Sequence, residues 1–321
     1  MNSLFKISLI LLTAFIMYGA SSRYGSTTSS SEKSEAHNRN LAIAKFSDNF
    51  VFCHELQTEG LDTISRTIFW RKLMRTSKDT FVFYSSPEKN ILGIIDANTY
   101  NQYNEQQKEN FLDSLRKINF LDCEKRVMYA MGRNHFYSVE NVITDIIKSN
   151  KIFKNRGVDP FYAQAILLIE SPGKLMKSSV GAYGPFQLMK SVGLKYGLVI
   201  NKKVDERKDL EKSAIAASKL ISSICIPYTN KMLEEYNISR CETDLWFRLL
   251  VLHVYHAGAG NVAKALKVLQ PQVGNMEMIK QLWHINAGGF RNASQNYSQV
   301  AIASLFELQD YLIRNIDTDF Y

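Results

Sequence analysis

Glu170 closes the run Ala165-Ile166-Leu167-Leu168-Ile169. Five apolar neighbours strip water from a carboxylate, which disfavours its charged form and raises its pKa toward neutrality. A carboxyl of that kind suits general acid chemistry, although the same position also fits a surface carboxylate at a helix end. Asp205-Glu206-Arg207 offers candidates for a second acid, but it reads better as a helix start with its own salt bridge. Cys53, Cys123, Cys225 and Cys241 are too widely spaced for a zinc ribbon, which wants cysteine pairs two to four residues apart. Cys225 with Cys241 would close a short loop in an oxidising compartment, and free buried thiols are the equal alternative. No metal or organic cofactor is called for.

The elements that must carry Glu170 are helical. Asp159-Pro160 places a cap and a proline at a helix start, and Ser171-Pro172-Gly173 ends that helix. A second short helix is expected after Gly184-Pro185. Leu210, Ala214, Ala217, Ile221 and Ile224 mark a third at three- and four-residue spacing. Residues 244–256 form a very apolar helix stopped by Gly258, Asn261 can cap the next, and residues 294–315 make a long final helix. From residue 138 to 321 the chain therefore reads as an all-α domain with short connections.

Upstream, residues 42–137 read as a smaller helical lead-in of unknown role. Helices are expected over 62–75 and 105–117, with a candidate β-hairpin between residues 80–84 and 91–95. Residues 21–41 are rich in Ser, Thr, Asn and charge and read as a flexible polar linker. Before them, Lys6 precedes about 12 apolar residues and then Gly19-Ala20-Ser21-Ser22. That run is too short for a bilayer core, which takes about 20 helical residues. Residues 1–20 fit a secretory signal peptide, and a lipoprotein anchor is not expected because no cysteine lies nearby. The expected location is outside the cytoplasm, in a periplasm or cell envelope.

The 321 residues are 45% hydrophobic and 22% charged, which excludes a disordered or collagen-like chain. Lys+Arg 39 against Asp+Glu 31 leaves a net charge of +8, so an anionic partner is indicated. Export and the scatter of the basic residues argue against nucleic acid, because no basic block is interleaved with aromatics.

Glu170-Ser171 is followed by Ser178, then Gly181-Ala182-Tyr183-Gly184-Pro185-Phe186-Gln187-Leu188-Met189, and far downstream by Val254-Tyr255-His256-Ala257-Gly258. In order and separation these segments resemble the lytic transglycosylases with a goose-lysozyme-like (SLT) catalytic domain, a glycoside hydrolase family 23 type. Tyr196-Gly197-Leu198, Val204-Asp205-Glu206-Arg207, Asp209 and Ala216-Ala217 further resemble the membrane-bound lytic murein transglycosylase D branch. The resemblance covers about residues 138–300, and the segment from Phe50 to Cys53 resembles the helical lead-in of that branch.

The resemblance implies a mainly α, lysozyme-like catalytic domain that acts on peptidoglycan glycan strands, with no cofactor and no nucleic acid. Glu170 would be the sole acid/base for the β-1,4 bond between N-acetylmuramic acid and N-acetylglucosamine, leaving a 1,6-anhydro ring. Ordinary glycosidases use two carboxylates; here the substrate's N-acetyl group takes the second role. Ser178, Gln187, Met189, Tyr255, His256 and Tyr297 would contact substrate or order the glutamate. Three departures stand out: His256 occupies the usual Asn position, Pro185-Phe186 replaces the common pair before Gln187, and Ser298 follows Tyr297 in place of the usual Val. The chain reaches Tyr321 without the peptidoglycan-binding repeats common in that branch, so wall affinity is expected from the cleft and the basic surface. Association with other envelope proteins is compatible with this reading. A hydrolytic muramidase on the same fold and a catalytically idle wall-binding or scaffold protein stay open as alternatives.

Overall fold

A computed structural model describes residues 28–170 and 177–320, with side chains from residue 34 onward. The expected signal segment, residues 21–27 and the helix stop at Ser171-Pro172-Gly173 lie outside the described residues. Helix α1 (Thr28–Phe46) occupies the expected linker from residue 28 onward. No glycine or proline interrupts the chain from Ser26 to Glu59, so a polar segment that buries little still forms helical hydrogen bonds.

Residues 42–321 form one unit. In chain order they continue with α2 (Glu55–Thr58), α3 (Ser65–Arg75), β1 (Thr80–Ser86), β2 (Ile91–Asp96), α4 (Ala97–Asn101), α5 (Glu105–Ile118) and β3 (Arg126–Met131). The helical portion follows: α6 (Ile143–Asn155), α7 (Pro160–Glu170), α8 (Lys190–Lys195), α9 (Leu210–Leu220), α10 (Ile226–Glu235), α11 (Leu245–Ala257), α12 (Ala259–Leu269), α13 (Met276–Leu282) and α14 (Ala293–Arg314). The fold is mainly α, as expected, with one three-stranded antiparallel sheet of order β2-β1-β3.

The hairpin forms with Phe83 opposite Gly93 and a register shift at Tyr84. β3 carried no expectation from sequence. It is an edge strand whose Met128, Tyr129 and Met131 are exposed, so it lacks the clean alternation that signals a half-buried strand. Phe81, Phe83, Leu92, Tyr100 and Leu115 make a small core of their own under the sheet.

The short helix expected after Gly184-Pro185 forms as α8, which begins at Lys190 after a tight turn. One helical expectation needs correction. The third helix ends at Leu220 and passes through one π-helical turn, Ile221–Cys225, into α10. Pro227, in the first turn of α10, has no N–H to donate, which breaks the i to i−4 ladder at that point. The four cysteines are unpaired, Cys53 and Cys225 being buried and Cys123 and Cys241 exposed. No Cys225–Cys241 loop is closed.

The expected boundary at residue 137 is not a boundary of packing. α14 lies against α3 of the lead-in as well as α7 and α11. Arg71 and Arg75 of α3 fork onto Glu307 and Asp310 of α14 at 2.6–2.8 Å. Buried Gln164 of α7 accepts from the Val51 N–H at 2.9 Å and donates to the Val51 carbonyl at 2.8 Å. It thereby pairs the lead-in backbone as a strand neighbour would. Gln164→Leu leaves both backbone groups unpaired and should cost about 2 kcal/mol. Thermal unfolding should fall by roughly 4–8 °C; an unchanged midpoint would show that Val51 finds other partners.

Candidate active site

Glu170 is positioned from its own helix start. Asp159 caps α7 by accepting from the Phe161 N–H at 2.9 Å, and its other oxygen pairs with Arg248 of α11 at 2.6 Å. Every residue from Phe161 to Ile169 is buried, so α7 is fixed on all sides and delivers Glu170 at its C-terminal end. Burial pushes the Glu170 carboxyl from 4.5 up to about 7, and contact with Tyr297 opposes that rise. No other acid among the described residues contributes to its shift.

Tyr297, from the first turns of α14, is buried and its hydroxyl makes no full hydrogen bond with a described residue. The Glu170 carboxyl is the acidic group it senses, through a contact looser than a hydrogen bond; burial first and then that charge keep the phenol well above its usual pKa. His256 stacks on the Tyr297 ring, with centroids 4.3 Å apart and planes at 24°. Burial holds its imidazole below the ordinary value, so it is neutral at pH 7. His256 thus supports Tyr297 by its flat face. His256→Ala should lower kcat/KM about three- to tenfold, the worth of an aromatic pair, whereas His256→Phe should retain more activity. Equal losses in the two variants, measured on isolated glycan strands, would show that the stack does not support Tyr297.

Tyr255 does not hydrogen-bond the Glu170 carboxyl: its hydroxyl donates to the Phe186 carbonyl. Its own pKa is raised first by burial and then by the charge of Glu170, so it lies near the site while tying the motif loop to α11. Phe186 in turn stacks on Phe153 of α6 at 5.8 Å. Beneath, His253 is fully buried with both ring nitrogens unpartnered, and burial drives it down to about 3, so it is neutral backing.

The motif loop is a web of short turns. Ser178 Oγ accepts from the Ala182 N–H at 2.9 Å, so its side chain is spent within the loop. Tyr183 and Leu188 exchange both backbone hydrogen bonds at 3.1 Å. Gln187 adopts a left-handed φ of 43° and donates from Nε2 to the Gly184 carbonyl at 3.0 Å. Met189 occupies the position before α8 without a capping hydrogen bond from its side chain, and is 41% exposed. Gly184, at φ 85°, lies against the Arg207 carbonyl, where an added Cβ would sit only 1.7 Å from the oxygen.

Arg207 is the residue whose role here the sequence understated. It is 3% exposed, forks onto Asp205 at 2.9 and 2.7 Å, and donates from Nη1 to the Gly181 and Leu188 carbonyls at 2.9 Å each. Asp205 is therefore a salt-bridge partner, and Glu206 pairs with Lys212; neither is free to act as a second catalytic acid.

Residues 148–272 match the transglycosylase SLT domain family. The SLT segment holds Glu170, the motif loop, Tyr255 and His256, while Tyr297 on α14 lies outside it. No curated protein matches the chain. The SLT domain is lysozyme-like and helical and belongs, as a family, to the peptidoglycan-cleaving transglycosylase type. Among the described residues no group of three or more His, Cys, Asp or Glu side chains is placed to hold a metal. No described helix is long and apolar enough to cross a membrane.

Sequence reasoning missed Tyr137, at the end of the lead-in. Burial raises its phenol to about 12, and the Glu170 charge adds to that rise. It lines a void of about 40 Å³ with Met74, Val142, Leu168 and Ser304, room for little more than a water molecule and not a saccharide cleft. Nothing in the spacing around Tyr137 marks it, because its neighbour in space is 33 positions away.

Proposed function

We propose that this protein is a lytic transglycosylase of the bacterial envelope, closest to the membrane-bound D branch. It would cleave the β-1,4 bond between N-acetylmuramic acid and N-acetylglucosamine and leave a 1,6-anhydro-muramyl end. The observation that carries the reading is a single carboxyl, Glu170, held near pH 7 by burial, with no second acid acting on it. The D-branch placement is supported by Tyr196-Gly197-Leu198 and the Asp205-Glu206-Arg207 clamp, and export by the apolar run before Gly19.

Protonated Glu170 gives its proton to the glycosidic oxygen as the C1–O bond breaks. The 2-acetamido group of the muramyl residue stabilises the positive charge at C1. The muramyl 6-hydroxyl then attacks C1 and its proton returns to Glu170. No water enters, and the enzyme ends in the protonation state in which it began. Gln187, Met189, Ser178 and Tyr255 shape or border the cleft, and the basic surface favours an anionic wall.

Digestion of purified sacculi, with the products read by mass spectrometry, tests this. Anhydro-muropeptides, one water lighter than reducing ends, are expected; reducing ends alone would identify a hydrolase, and no release would overturn the catalytic reading.

A further inference from the structure

A second cavity lies where the lead-in meets the start of the SLT segment. Its volume is about 430 Å³, within the range of small-ligand sites. One wall is a single face of α6, since Ile147, Asn150, Lys151, Lys154 and Asn155 follow the i, i+3, i+4, i+7, i+8 spacing. The other wall is residues 47–51, the segment that leaves α1. That segment is pinned. Asn150, 5% exposed, donates from Nδ2 to the Asn49 carbonyl at 2.8 Å, and Gln164 holds both backbone groups of Val51. Both walls are therefore in place before a ligand arrives, which lowers the ordering cost of binding.

The lining offers donors and acceptors together. Lys151 and Lys154 on one wall and Asp48 on the other are exposed, and none makes an ion pair or hydrogen bond with another described side chain. The two ammoniums donate, the carboxylate accepts, and Ser47 and Asn155 do both. Buried Phe50 and neighbouring Pro160 add apolar surface. A bare anion would suit the lysines but would meet the Asp48 carboxylate. A ligand that donates and accepts along its edges and carries C–H faces between them uses the whole lining. That is the chemistry of a saccharide with hydroxyl and acetamido groups. Pro160 begins α7 and Glu170 ends it, about 15 Å apart along the helix axis, so the cavity and the catalytic carboxyl are separate places.

We propose that this cavity is a second, non-catalytic saccharide site, which holds a glycan strand of the wall while another stretch of the polymer occupies the cleft at Glu170. This rests on the glycan-cleaving reading of Glu170. Two attachments to one polymer make the second binding event intramolecular. The gain therefore appears on the intact wall and vanishes on a fragment too short to engage both sites.

Two variants test this. Ser47→Trp fills the cavity with an indole, and the pair Lys151→Met, Lys154→Met removes its ammoniums while keeping their stems. The pair Lys202→Met, Lys203→Met, exposed lysines elsewhere, carries the same change of net charge as a control. In the Glu170→Gln background, which leaves the wall intact, co-sedimentation with purified sacculi should weaken about tenfold in both cavity variants and far less in the control. With Glu170 present, turnover of a soluble tetrasaccharide fragment should match wild type. Sedimentation equal to the parent in both cavity variants overturns the site, and so does an equal loss in the control, which would reduce the effect to net charge. Tetrasaccharide turnover falling as far as sacculus binding also overturns it, because the cavity would then act through the cleft. Calorimetry of an N-acetylglucosamine tetramer with the Glu170→Gln protein should give two sites per chain, and one after Ser47→Trp; one site in both overturns the proposal. If wild type cleaves neither substrate, the catalytic reading fails while a loss of tetramer binding in Ser47→Trp still upholds the cavity. Inorganic phosphate binding that Ser47→Trp abolishes, without tetramer binding, would overturn the assignment to a saccharide.

Discussion

Glu170→Gln should abolish release of anhydro-muropeptides, with kcat down about 10⁴-fold or more. Loss of a general acid alone costs about 10²–10⁴, and in the proposed reaction one carboxyl would serve both the protonation of the leaving oxygen and the deprotonation of the 6-hydroxyl. Glutamine keeps the shape and a donor but cannot exchange a proton. The free enzyme must carry protonated Glu170, so kcat/KM in the wild type should fall about tenfold per unit above pH 7, the carboxyl's position. A bell with a second acidic limb would point to a partner carboxylate and to hydrolysis.

The same substitution should have the opposite effect on stability, and the sign follows from the direction of the shift. Folding raises the Glu170 pKa from 4.5 to about 7, so the fold favours the neutral form. The stability tied to that form is complete below pH 4.5 and is lost as pH rises through 7. At about 1.4 kcal/mol per pKa unit the loss above pH 7 is about 3 kcal/mol. Glutamine is neutral throughout, so Glu170→Gln should match wild type near pH 4 and be about 3 kcal/mol more stable at pH 8. Denaturant titrations at the two pH values check this, and identical differences at both would contradict a desolvated carboxyl.

Arg207→Met is expected to be the most damaging substitution away from the reacting atoms. It removes two hydrogen bonds to loop carbonyls and strands Asp205, whose carboxyl is held below its usual pKa chiefly by hydrogen bonding to Arg207. Breaking a buried pair costs about 3–5 kcal/mol; the Asp205 side chain is 25% exposed, which favours the lower figure. A fall of roughly 6–12 °C in the unfolding midpoint should result, with kcat/KM down because Gly181 and Leu188 lose their common anchor. The double variant Arg207→Met, Asp205→Leu should regain stability by removing the stranded charge yet stay impaired in turnover. Recovery of both properties would show that the loop does not depend on the guanidinium.

Much of the site is legible in the order of its residues. The desolvated acid is visible in five consecutive apolar residues ahead of Glu170, and the α7 cap in Asp159-Pro160. Gly184 of the motif loop has a local reason in its left-handed φ, to which the Arg207 carbonyl, 23 positions on, adds the lack of room for a Cβ. Elsewhere local signals mislead. The short helix after Gly184-Pro185 starts only at Lys190, because the Tyr183–Leu188 bridge and the Arg207 clamp hold the residues between as a turn. Tyr255 looks like a partner of the glutamate, and the tertiary structure gives its proton to the Phe186 carbonyl.

By itself, then, the sequence determined the apolar setting of Glu170 along its own helix and the helical character of its surroundings, because both depend on neighbours within a turn or two of chain. Only the tertiary structure decided what stands around that carboxyl. α14 brings Tyr297 to it from 127 positions away and holds the lead-in's Trp70 on Gln299. Gln164, Arg71 and Arg75 weld the lead-in to α7 and α14 across 113 to 239 positions. Contacts of that reach leave no period or spacing in a sequence, since they follow from which faces the chain buries together when it closes its core.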